Sequence, residues 1–157
     1  MKRLLAEILQ LTSENLRNAE EIRSITEEMQ EHIRREDMDS LNRALDRRQA
    51  GIDRVDRIHA SIDSKIEELA GKGPARKIEE IDSSRYPEAK EILDIREEIR
   101  KINRRICEME KDNLRNAQAL LEEYKDTIQG IKKNRKAMRV YGGNNSRKQS
   151  ILLNEVK

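Results

Sequence analysis

The sequence contains no Phe, no Trp and only three Tyr, so the large rings that fill a thick globular interior are missing. Any core must be thin. Cys107 is the single cysteine, which excludes a disulfide within the chain and asks for no oxidising compartment. Two Pro and six Gly, mostly clustered, leave long stretches free of helix breakers. No apolar run could span a membrane. Met1-Lys2-Arg3-Leu4-Leu5-Ala6 begins like a signal peptide, but Glu7 and Gln10 interrupt it and no small-residue cleavage site follows. The expected location is cytoplasmic.

The residues of most chemistries are equally sparse. His32 and His59 are the only histidines, on different predicted helices with no cysteine beside them, so neither fits a zinc pattern. No Gly-rich loop joins a strand to a helix, and no acidic cluster has the spacing of a calcium loop. No catalytic residue, metal, cofactor or small-molecule substrate is expected.

What is abundant is charge. Asp, Glu, Lys and Arg make up 41% of the chain against 35% hydrophobic residues, the composition of long helices with a narrow apolar seam. The net charge of +2 is unevenly placed. From Lys132 to Lys157 eight cations face one acid, Glu155, so that segment carries +7 and the remainder −5. Cations near a helix C-terminus complement its macrodipole, and the same cluster could dock an acidic partner. Near-neutral total charge and few aromatics argue against nucleic acid.

Seams at heptad spacing organise the chain. Leu4, Ile8, Leu11, Ile22, Ile25 and Met29, with Asn15, Asn18 and His32 in phase, predict a helix from about 2 to 36. Glu36-Asp37-Met38-Asp39-Ser40 supplies turn and capping residues. Met38, Leu41, Leu45, Ile52, Val55, Ile62, Ile66 and Leu69, with Arg48 and His59, predict a second helix over 38–70. Gly71-Lys72-Gly73-Pro74 should end it through left-handed glycines and a proline. A short helix is expected at 75–82, and a third long one from Pro87 to about 139. The third seam is Ile92, Ile95, Ile99, Ile102, Ile106, Met109, Asn113, Asn116 and Leu120, continued less strictly by Tyr124, Ile128, Ile131 and Met138. At 1.5 Å per residue this helix could reach roughly 75 Å, against roughly 50 Å for each of the others.

The fold class expected is all-α: an antiparallel bundle of three long helices with coiled-coil packing over residues 1–139, then a flexible tail over 140–157. Gly142-Gly143-Asn144-Asn145-Ser146 should break the helix, leaving Ile151, Leu152, Leu153 and Val156 as a short amphipathic segment that needs a surface. Glu14-Asn15-Leu16-Arg17-Asn18-Ala19 and Asp112-Asn113-Leu114-Arg115-Asn116-Ala117 echo each other. The echo is either coincidence among helix-forming letters or a device in which seam asparagines bond across helices and fix register.

The order of features resembles the FlgN family of flagellar export chaperones. The resemblance rests on a heptad helix followed by Arg35-Glu36-Asp37-Met38-Asp39-Ser40-Leu41, Leu45 and Arg47-Arg48-Gln49, and on a long last helix with Asn113, Asn116 and Tyr141-Gly142. It covers about residues 1–143, and the basic tail departs from the family's more acidic balance. It implies a cytoplasmic type III export chaperone that binds hook-filament junction proteins of the FlgK and FlgL type. Apolar helical termini of such clients would pack on an exposed seam. The residues expected to bind are Leu120, Tyr124, Ile128, Ile131, Met138, Tyr141, Ile151, Leu152, Leu153 and Val156. Self-packing of the last helix, or a homodimer in a coiled-coil scaffold protein, is the competing use of the same seam.

Overall fold

In the computed structural model, residues 1–73 and 75–154 are described, with side chains to residue 142. Among them are three α-helices and one 3-10 turn, and no strand: α1 (Lys2–Arg34), α2 (Met38–Lys72), the turn Ile78–Glu80, and α3 (Pro87–Asn154). The chain divides into two compact units, Met1–Leu114 and Arg115–Lys157, with α3 contributing to both.

In the first unit, α1 and α2 form an antiparallel hairpin. Lys65 reaches Glu7 near one end, Arg54 bonds Glu21 at 2.7 Å midway, and Arg47 meets Glu28 near the turn. The first part of α3 packs alongside α1 in the same direction, since Ile92 joins the cluster of Leu4, Leu5 and Ile8 whereas Asn113 Nδ2 donates to the Thr26 carbonyl at 3.1 Å. The three helices thus run up, down and up.

α1 buries two rows because it has two neighbours. One is the expected seam: Leu4, Ile8, Asn15, Asn18, Ile22, Ile25 and Met29 are all buried. The other recurs every seventh residue at Leu5, Thr12, Ala19, Thr26 and Ile33, and is also buried. Its small members let helices approach, and its hydroxyls bond within α1, Thr12 Oγ1 to the Ile8 carbonyl and Thr26 Oγ1 to that of Ile22, each at 2.7 Å.

The turn between α1 and α2 is a Schellman-type reversal. The Asp37 N–H bonds the His32 carbonyl at 2.9 Å and Glu36 occupies the left-handed region at φ 58°. Asp37 then caps α2 by accepting from the Ser40 N–H at 3.0 Å.

Several expected boundaries need correction. Gly73 is extended, not left-handed, and no described glycine has a positive φ. Residues 75–82 form only the turn Ile78–Glu80, with extended backbone at Lys77 and Ile81 on either side. Their task is to place Ala75, Ile78 and Ile81 in the cluster that closes the end of the hairpin, which a longer helix would turn away. α3 does not stop near residue 139: its backbone runs through Gly142–Ser146 to Asn154. Glycine costs a helix only about 1 kcal/mol against alanine, and no proline follows Pro87 to forbid continuation. Met38 and Leu45, expected in the seam, are exposed, whereas Ile58 is buried.

Candidate functional site

Each unit carries one feature that could receive a partner. In the first, a cleft of about 400 Å³ opens where polar groups interrupt the three seams, with Thr12, Asn15, His59, Asp63, Arg96 and Arg100 among its lining residues. Asn15 and His59 meet at 3.0 Å between Nδ2 and Nε2, and if the amide donates, the imidazole proton sits on Nδ1. The cations at the rim already face carboxylates. Arg100 bonds Glu97 at 3.1 Å, which holds the Glu97 carboxyl below its usual range, and Arg96 lies 3.7 Å from Glu79. No group of three or more His, Cys, Asp or Glu among the described residues could hold a metal ion. The cleft reads as a polar break in the packing.

In the second unit the feature is a helix face. Leu121, Tyr124, Ile128 and Ile131 recur at three- and four-residue steps and are roughly half exposed, and Met138 is 76% exposed. Leu120 lies on the same side and is half-buried. Tyr141 is also 76% exposed and sits at the border of this stripe, three residues after Met138. Of the residues expected to bind, the helix gathers Leu120, Tyr124, Ile128, Ile131 and Met138, with Tyr141 at their edge. Ile151, Leu152 and Leu153 belong to α3 in backbone only, and Val156 lies outside the described residues.

Leu121 lies outside the set expected to bind, yet it is 53% exposed and stands seven residues before Ile128. That spacing is the signal in the sequence, masked because the seam through Asn113 and Leu120 already accounts for the apolar letters nearby. Around the stripe, Lys125 bonds Glu122 at 3.0 Å and Thr127 Oγ1 returns to the Glu123 carbonyl at 3.0 Å. Lys132, Lys133, Arg135, Lys136 and Arg139 are all exposed.

Arg34 hydrogen-bonds Glu31 and lowers its carboxyl to about 2, with Arg35 adding to the pull. The Ser40 contacts hold Asp37 down, hydrogen bonding to Lys65 lowers Glu7, and Lys72 lowers Glu68. These are structural ion pairs and caps on solvated faces, not groups tuned for proton transfer.

No described helix is long and apolar enough to cross a membrane. Neither a curated protein nor a solved structure matches the chain. The family model described as FlgN protein matches residues 1–149, nearly the whole sequence. With the three-helix bundle and the exposed stripe of α3, this match shows that the chain belongs to the FlgN family, a family of flagellar export chaperones.

Proposed function

We propose that this protein is a cytoplasmic chaperone that holds hook-filament junction proteins of the FlgK and FlgL type before type III secretion. It would dock an apolar helical segment of the client on the stripe Leu120, Leu121, Tyr124, Ile128, Ile131 and Met138. The observation that carries the docking face is the run of exposed apolar side chains at helical spacing on a single helix. A client helix laid against such a stripe buries several large side chains, each worth about 1.5–3 kcal/mol when fully removed from water, less the cost of ordering both surfaces.

The test is titration calorimetry of the full chain with a purified junction-protein terminus. Ile128→Asp with Ile131→Asp should weaken binding by more than about tenfold, equivalent to about 1.4 kcal/mol, while leaving helix content unchanged. Equal affinities would remove this face from the site, and no binding by the parent chain would remove the chaperone reading. The same stripe could pair two copies of the chain. Sedimentation equilibrium separates the two uses: a monomer that joins its client favours the chaperone, and a dimer lost in the Ile128, Ile131 variant favours the scaffold.

A further inference from the structure

The stripe of the second unit is not framed alike on its two sides. By the helical repeat, Lys125, Lys132 and Arg139 follow one edge at seven-residue steps with Lys136 beside them, whereas the opposite edge carries the uncharged Thr127, Asn134 and Tyr141. Lys125 has Glu122 beside it, but Lys132 and Lys136 have no described ion pair and are fully in reach of solvent. Arg135 stands in the stripe itself, between Ile131 and Met138, where the repeat calls for an apolar residue. A partner helix seated here meets apolar side chains for about three turns, then a guanidinium in its path with two ammonium groups along one flank.

Resting on the reading of this stripe as the docking face, we propose that its partner is an amphipathic helix bearing acidic residues along one edge of its apolar seam. That edge lies against Lys132 and Lys136, and a further carboxylate meets Arg135. In coiled coils, flanking charges of this kind choose the partner and its register, while the apolar seam supplies most of the affinity. A basic-edged helix with the same seam would bring like charges together beside Lys132, Arg135 and Lys136 and be disfavoured. An anionic bilayer could also attract the lysines, but it has no means to distinguish one edge of the stripe from the other.

Two synthetic helical peptides test this, sharing one Leu and Ile seam and differing only in Glu or Lys along one edge. Binding of each to the full chain is followed by fluorescence anisotropy. The Glu peptide should bind about tenfold tighter at low salt, an advantage that shrinks as salt screens the exposed charges. Lys132→Gln with Lys136→Gln should remove most of that advantage, weakening the Glu peptide and relieving the repulsion of the Lys peptide, without changing helix content. Equal affinities, or an advantage untouched by the two substitutions, would overturn the proposal. So would lysine-dependent binding to phosphatidylserine vesicles with no binding of the Glu peptide. Failure of the Glu peptide beside good binding of a junction-protein terminus would refute the acidic edge and leave the chaperone reading standing; the reverse result would do the opposite.

Discussion

Gly51 sits at a close approach of α2 to α1, and a Cβ added there would lie 2.9 Å from Ile22 Cγ1 and 3.3 Å from Ile22 Cδ1. Across the same contact Asn18 Nδ2 donates to the Gly51 carbonyl at 2.9 Å while its Oδ1 accepts from Arg54 Nε at 3.1 Å. Both atoms of the amide are thus spent, and the shift of one helix past the other by a single turn would break both bonds. Asn113 is only half satisfied, since its Nδ2 reaches Thr26 but its buried Oδ1 has no partner. A polar seam residue of this kind gives up some stability for register, the role proposed for the echoed asparagines; Asn116, however, is exposed. Gly51→Val should cost about 2 kcal/mol despite a better helix propensity, because Ile22 is buried and cannot swing clear. Urea denaturation measures it, and an unchanged midpoint would mean that the two helices part without loss.

At the scale of the element, heptad reading found all three helices because their aliphatic residues mark the seams without ambiguity. It missed the second buried row of α1, whose Thr12, Ala19 and Thr26 carry no hydrophobic signal; only the exact seven-residue recurrence, Leu5 through Ile33, betrays it. It also mistook the clustered glycines beyond Tyr141 for a stop, although glycine merely weakens a helix where proline would end it. The exposed stripe of α3 is legible in part, because exposed and buried seams share one periodicity and only the presence or absence of a neighbouring helix tells them apart. The α1 C-terminus carries a prediction of its own. Glu36 adopts φ 58°, a region that a side chain disfavours and glycine does not, so Glu36→Gly should raise stability by up to about 1 kcal/mol. The gain is read as a higher melting temperature; a fall would show that contacts of the Glu36 side chain outweigh its backbone strain.

For the whole molecule, the depressed carboxyls set the direction of the pH response. Glu7, Glu31, Asp37, Glu68 and Glu97 all have folded values below their ordinary ones, so the unfolded chain takes up protons first as pH falls. Their stabilisation is complete above the ordinary carboxylate range and is lost on the way down, for Glu31 to about pH 2. Melting temperature should therefore hold steady from pH 7 to about 5 and decline steadily below it, less steeply in high salt because every pair is solvated. A melting temperature that rose on acidification would contradict these pairings.

The up-down-up order of the first unit also orders its assembly. α1 and α2 meet through a tight reversal, so their contacts close small loops, whereas Asn113 and Thr26 are 87 residues apart. Loop-closure entropy and contact order make the hairpin the early, fast event and the seating of α3 the late one. A nascent chain would hold a formed hairpin with an uncovered Thr12 and Thr26 row until α3 follows it. The same asymmetry makes α3 the helix that detaches at least cost, giving its amides the earlier hydrogen exchange and the hairpin the longer memory of the fold.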